Sequence, residues 1–177
     1  MSPLIQHLIS EIDSNTPDND LNEVLLTARQ AIFKLNGSQE YSPQVLDEWQ
    51  DELQETNLTS EEISALVAHL KDFIRRHPDQ PLVGTAIWAL TATNSINEAH
   101  FFRNQIIIHA NARRFHPVDQ ADYGLLRLGL DHIRWDSMRE VWDRPGSERP
   151  DSYWTAVKIY LRRSHYQRMR AAHKSLR

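Results

Sequence analysis

Helical periodicity is the feature that most constrains what this chain can fold into. From Leu21 to Leu35, and again from Ile63 to Ile74, apolar residues recur at intervals of three and four, the spacing of one helix face. Clusters of Pro, Gly, Asn and Ser separate segments of helical length, and only five glycines occur in 177 residues. The sequence therefore predicts an all-α fold of about nine helices.

Local signals predict where individual helices begin and end. Pro3 opens a short helix that reaches to about residue 13. Thr59 or Ser60 stands before two acidic residues and an apolar stripe, as at a helix N-terminus, and Pro78 ends that helix. The segment from Leu82 to Ala92 is apolar nearly all round, which predicts a helix at the centre of the core.

Two stretches of the chain resemble one another at a separation of 40 residues. RRHPDQPLVG, from Arg75 to Gly84, returns as RRFHPVDQADYG, from Arg113 to Gly124. Each copy follows a long predicted helix and begins a shorter one. A period of about 40 residues is typical of solenoids, in which each helix pair packs against the next.

The first copy resembles the second-helix signature of HEAT repeats, in which an Asp precedes an aliphatic residue and a run that ends in Ala-Leu. The matching residues are Asp79, Leu82, Ala86, Ala89 and Leu90. Val83 stands where the family commonly has Arg. The second copy keeps Asp119 and Leu130 but has Asp122 at the aliphatic position, so it is a degenerate unit.

This resemblance covers about residues 60–143. It implies a short right-handed α-α superhelix of antiparallel helix pairs, whose exterior acts as a binding surface. Proteins with such repeats are mostly scaffolds and adaptors, and a minority act on nucleic acid.

Length and composition bound the class of protein. A chain of 177 residues predicts one all-helical domain over 1–177. The absence of cysteine excludes disulfides, thiolate nucleophiles and Cys-ligated zinc. No apolar run approaches the length of a membrane span, and the N-terminus lacks a basic start, so we expect a cytoplasmic protein that does not contact a membrane.

Charge is distributed unevenly along the chain. Residues 1–60 hold eleven acids and two bases, a net charge of −9. Residues 101–177 hold eight acids and fifteen bases, a net charge of +7. Such polarity steers the approach of partners and permits self-association through the opposite ends, although solvated helix faces that differ in sign would give the same gradient.

The basic end of the chain is a candidate binding segment. From Ser152 to Arg177 there are seven Lys or Arg and no acid, and the helix predicted there loses its apolar stripe, so residues 166–177 are expected to project or fray. The candidate binding residues are Arg162, Arg163, Arg170 and Lys174. They fit a phosphate-binding arm, a contact with an acidic protein surface, or a solubilising helix end.

An acidic helix in the first third of the chain is the second candidate binding segment. Its candidate binding residues are Asp47, Glu48, Asp51 and Glu52. Acids four residues apart repel one another on a helix, and a partner bearing Lys or Arg would relieve that repulsion.

Motifs for catalysis or for a cofactor are missing. No two of the nine histidines are four residues apart, and none follows an acid by three, so they are expected at helix ends or on the surface rather than on a metal. Nucleophile motifs, phosphate loops and dinucleotide turns are also absent. We expect neither an enzyme, a metal nor a cofactor.

Together these features predict a module that binds another protein, as an adaptor or an inhibitor, for instance an immunity protein that neutralises a toxin. Nucleic-acid binding through the basic end is the alternative. It ranks second because the acidic first third of the chain repels a polyanion.

Overall fold

All regular secondary structure is helical in the part of the chain that the computed structural model describes, residues 1–14, 18–36 and 47–142. Side chains of residues 18, 19, 47–50, 138, 139 and 142 lie outside that description. The α-helices are α1 Pro3–Asp13, α2 Asp18–Leu35, α3 Asp47–Glu55, α4 Ser60–Arg76, α5 Val83–Leu90, α6 Ala99–Asn111, α7 Phe115–Arg127 and α8 Asp131–Trp142. Two short 3-10 helices, Thr91–Thr93 and Ile96–Glu98, connect α5 to α6. The predicted all-α class is confirmed.

The start of α4 follows from its first residues, as the sequence predicts. The Thr59 hydroxyl accepts a hydrogen bond from the Glu62 backbone N–H at 3.2 Å, and the Glu62 carboxylate accepts one from the Thr59 N–H at 3.0 Å. This reciprocal pair is a capping box, which satisfies two N–H groups that the helix itself cannot. Glu62 also accepts from the backbone N–H of Ser2, so the same side chain joins the start of α1 to α4.

The centre of the core is α5, as its apolar character predicts. Val83, Ala86, Ile87, Ala89 and Leu90 are fully enclosed. The helix packs against α2, α4 and α7, so its apolar sides all meet protein.

A buried arginine links α2 to this central helix. The Arg29 guanidinium lies between the rings of Phe33 and Trp88, 4.4 and 3.8 Å from their centroids. It donates hydrogen bonds to the Trp88 carbonyl at 2.7 Å and to the Thr91 hydroxyl at 2.8 Å. These contacts hold α2 against the C-terminal end of α5.

A buried ion pair joins α7 to α8. Arg134 donates two hydrogen bonds to the Asp122 carboxylate, both at 2.6 Å, and a third to Asp131 at 2.9 Å. Arg134 and Asp122 are almost fully buried. Arg134 of α8 thus neutralises the charge that Asp122 brings into the core.

One compact unit spans Met1–Val141. The prediction of a single domain over 1–177, with a projecting end at 166–177, concerns residues beyond 142, which the structure does not describe, and it stays a prediction. Within the described ranges no helix has both the length and the apolar character that crossing a membrane requires.

Candidate functional site: a groove along α4

A cavity of about 530 Å³ opens where three parts of the chain meet. Its walls are the C-terminal end of α2, one face of α4, and the connection from α5 to α6. The residues that line it are Ile32, Leu35, Asn36, Ser60, Ile63, Ser64, Val67, Ala68, Lys71, Arg75, Thr93, Ser95, Asn97 and Glu98. We refer to this cavity as the α4 groove.

The wall contributed by α4 is a single stripe along most of the helix. The lining positions are 60, 63, 64, 67, 68, 71 and 75, which recur at intervals of three and four. Fifteen residue steps separate Ser60 from Arg75, and at 1.5 Å per residue the stripe is about 22 Å long. The groove is therefore elongated rather than a point-like pocket.

Apolar side chains form the floor of the groove and polar ones its rim. Ile32 and Ile63 are buried beneath it, and Leu35 and Val67 are partly exposed. Ser60, Ser64 and Ala68 lie exposed on the α4 side. An apolar floor with a polar rim is typical of surfaces that bind a partner.

The opposite rim is held in place by hydrogen bonds. The Asn36 side-chain amide donates to the carbonyls of Ala92 and Thr93, at 2.9 and 3.1 Å. The Thr93 hydroxyl donates to the Leu90 carbonyl at 2.9 Å, and the Ser95 hydroxyl accepts from the Asn97 backbone N–H at 3.3 Å. These bonds fix the connection from α5 to α6 against the end of α2.

Two cations of α4 line the groove, and they differ in their surroundings. The Lys71 ammonium pairs with the Glu98 carboxylate at 2.6 Å, and it lies 5.6 Å from the centroid of the Phe101 ring. Arg75 is exposed and forms no ion pair or hydrogen bond with any described residue. By contrast, its neighbour Arg76 pairs with Asp13 and Asp72. Arg75 thus gives the groove a positive charge that no described side chain neutralises.

Four described titratable groups outside the groove have pKa values that the fold shifts. Backbone hydrogen bonds from Ser2 and Thr59 lower the pKa of Glu62, and burial raises that of Asp122. Burial by itself would lower the pKa of Arg134, but the hydrogen bonds and charge of Asp122 outweigh it and raise the value. Burial lowers the pKa of His109 to about 4. Each shift has a structural cause in capping or core packing.

The predicted acidic site residues lie on α3, away from the groove lining. Asp51 and Glu52 are exposed, as an interaction surface requires. Asp47 and Glu48 are the first two residues of α3, and the structure does not describe their side chains. The Lys34 ammonium donates to carbonyls near the end of α3, including those of Gln54 at 3.0 Å and Thr56 at 2.7 Å.

The predicted basic site residues cannot be placed. Arg162, Arg163, Arg170 and Lys174 all lie outside the described residues. Their role in binding a partner therefore stays a prediction.

Reasoning from the sequence did not single out the groove residues. The available signal was the row of small residues Ser60, Ser64 and Ala68, four apart on the polar side of a strongly amphipathic helix. Arg75 and Arg76 are adjacent in the last turn of α4, where the helix dipole favours both, and only the structure shows that their surroundings differ.

His109 lies in the last turn of α6, at a helix end as expected, but it is not on the surface. Its side chain is fully buried, with Nε2 at 3.2 Å from the Gln105 side-chain oxygen. His69 is half-exposed and pairs with Asp13 at 2.8 Å. Among the described residues no group of His, Asp and Glu has a geometry that could hold a metal ion.

No protein-family model matches the chain, and neither a curated protein nor a solved structure shows significant similarity to it. The structure itself defines the class, an all-helical domain with an elongated groove along α4.

Proposed function

We propose that this chain is a non-enzymatic protein-binding module, an adaptor or an inhibitor, which holds a segment of its partner in the α4 groove. The proposal depends on the presence of the α4 groove. The groove combines an apolar floor, a polar rim and a positive charge with no described partner. An immunity protein that covers the active site of a toxin is one form such an inhibitor takes.

Two further observations support binding rather than acid–base catalysis. Groups with a shifted pKa mark many catalytic sites, and here those groups serve capping and core packing instead. The groove is also an elongated channel about 22 Å long, a shape that suits a peptide segment better than a small substrate.

In this proposal the helices form a short right-handed α-α superhelix similar to HEAT repeats. A contact between the two similar stretches supports it. Arg114, in the second copy, pairs with Asp79 and donates to the Pro78 carbonyl, in the first copy. The connections at the ends of successive helix pairs are thereby adjacent, as they are when pairs stack in series.

The test is affinity capture from cells of the native host with three forms of the full chain. Ser64→Trp fills the groove at an exposed position, while Asn104→Trp adds the same side chain to the exposed face of α6, away from the groove lining. We expect the wild-type chain and Asn104→Trp to retain a protein that Ser64→Trp does not retain, as mass spectrometry of the eluates would show.

Equal recovery of the same proteins by all three forms would remove the groove from the interaction. The unfolding temperatures of the three forms, measured by circular dichroism, provide the folding control.

A second candidate function is nucleic-acid binding through the basic end. The observation in its favour is the run from Ser152 to Arg177, with seven Lys or Arg and no acid.

A further inference from the structure

We propose that the occupant of the α4 groove is an amphipathic helix of the partner protein, with an acidic side chain placed to pair with Arg75. This inference rests on the proposed function and gives it a specific ligand chemistry. It follows from the packing surface of α4, from the hydrogen bonds of the rim, and from the charge of the groove.

The packing surface of α4 fits a second helix. Ser60, Ser64 and Ala68 are small, exposed and four residues apart, so the row along i, i+4 and i+8 is a trough between bulkier neighbours. Helices pack by fitting a ridge of side chains on one into such a trough on the other, at an interaxial distance of about 8 to 10 Å. Small residues at the contact favour the short end of that range.

The floor of the groove sets the pattern of the occupant. Val67 on α4 and Leu35 on α2 are partly exposed and present apolar surface below the row of small residues, and the buried Ile63 and Ile32 support them from beneath. A helix with apolar residues three and four apart buries one face there and leaves its polar face in water. A 15-residue helix matches the groove length of about 22 Å.

The rim favours a helix over an extended peptide. An extended peptide needs hydrogen-bond donors and acceptors for its backbone, but several of those on the rim already form hydrogen bonds within the protein. Asn36 donates to Ala92 and Thr93, the Thr93 hydroxyl donates to Leu90, and the Ser95 hydroxyl accepts from Asn97. A helix satisfies its backbone internally and makes no such demand.

The charge of the groove selects an acidic side chain. Glu98 neutralises Lys71, so Arg75 is the cation that remains unpaired among the described groove residues. A carboxylate near the C-terminal end of α4 gains a charge-assisted pair with its guanidinium. A phosphate polymer is disfavoured, because Arg75 is the single unpaired cation among the described groove residues and the chain carries a net charge of −4.

The test is a selection from a display library of randomised 15-residue helical peptides on the immobilised full chain. We expect the selected peptides to carry apolar residues three and four apart and an Asp or Glu toward one end. Binding of a labelled synthetic peptide, measured by fluorescence anisotropy, should weaken at least tenfold for Ser64→Trp and should not change for Asn104→Trp.

The charge pairing is tested with variants matched in net charge. Arg75→Gln and Asn104→Glu each lower the net charge by one, but only the first removes the groove cation. We expect Arg75→Gln to weaken the peptide by up to about fivefold, and Asn104→Glu to have no effect. Arg75→Glu alone should weaken binding, and so should changing the acidic residue of the peptide to Lys. Combining the two changes exchanges the charges and should restore the affinity.

The outcomes separate this inference from the proposed function. One contrary outcome is that the selected peptides are proline-rich or basic, or that their affinity does not change with Arg75→Gln. If such peptides nevertheless fail to bind Ser64→Trp, the inference of an acidic helix is overturned and the groove remains a binding site. Peptides that bind Ser64→Trp as well as wild type would remove the groove from recognition. A library that yields binders to an unrelated control protein but none to this chain would also overturn the inference.

Discussion

At the scale of single residues, the imidazole of His109 is a neutral group that the fold has enclosed. Only one of its nitrogens, Nε2, has a hydrogen-bond partner among the described residues, the side-chain oxygen of Gln105. Protonation would place a charge in the apolar packing of α6, so burial lowers the pKa from 6.5 to about 4.

This shift makes folding stability depend on pH. The unfolded chain binds a proton at His109 below about pH 6.5, whereas the folded chain does so only near pH 4. Stability is therefore present in full above pH 6.5, falls as the pH is lowered toward 4, and levels off below. Each pKa unit corresponds to about 1.4 kcal/mol, so we expect a loss of up to about 3 kcal/mol from this residue.

Urea unfolding at several pH values measures the effect as a difference between variants. His109→Gln stays neutral and should lose this part of the pH dependence, while His100→Gln, at an exposed position of α6, should keep it. Equal pH dependence in wild type and His109→Gln would contradict the assignment.

At the scale of helices, two glycines mark where α7 passes close to its neighbours. Gly124 faces the Phe102 ring of α6, and a Cβ at that position would lie 2.8 Å from ring carbons. Gly84 of α5 faces the ring of His116 of α7 at a similarly short distance. The two rings differ in their freedom to move, because Phe102 is buried and His116 is exposed.

Alanine substitutions should separate these two cases. We expect Gly124→Ala to destabilise the protein by about 1 to 3 kcal/mol, since the enclosed Phe102 ring cannot move aside. Gly84→Ala should stay within about 1 kcal/mol of wild type, because His116 can rotate toward solvent and alanine favours the helix. Urea denaturation of the two variants is the measurement. A larger loss for Gly84→Ala would contradict this reading of the contacts.

At the scale of the whole molecule, charge polarity bears on which partner approaches. We expect the net charge of −9 over residues 1–60 and +7 over residues 101–177 to orient an incoming charged surface and to raise its association rate at low salt. The same basic end is the origin of the nucleic-acid alternative. Affinity for a phosphate polymer depends on salt far more steeply than affinity for a peptide groove does.

The nucleic-acid alternative predicts a specific loss. We expect random-sequence DNA to bind at low salt only. Changing Arg162, Arg163, Arg170 and Lys174 to Ala should lower the slope of log affinity against log salt concentration by roughly one unit per cation. Gel-shift titrations over a range of salt concentrations would measure it. Binding of the selected helical peptide should be unaffected by these four changes.

Tight DNA binding near 0.15 M salt that disappears in the quadruple variant would instead favour the nucleic-acid function.

Sedimentation at low and moderate salt would also detect self-association through the opposite charged ends, which salt should weaken.

The sequence by itself determined the helical class, the bounds of elements such as α1 and α4, and the central place of α5. These depend on local information: the interval between apolar residues, the capping residues at Thr59 and Glu62, and the apolar character of every residue from Val83 to Leu90 except Thr85.

Only the tertiary structure decided where the groove lies and which charges remain free. Its walls come from residues 32–36, 60–75 and 93–98, which periodicity cannot bring together. Arg75 and Arg76 are adjacent in sequence and both exposed, yet Asp13 of α1 pairs with Arg76, whereas Arg75 has no ion pair with a described residue. The burial of His109 likewise follows from how α6 is packed. Each of these depends on distances between helices, which the order of residues along one helix does not specify.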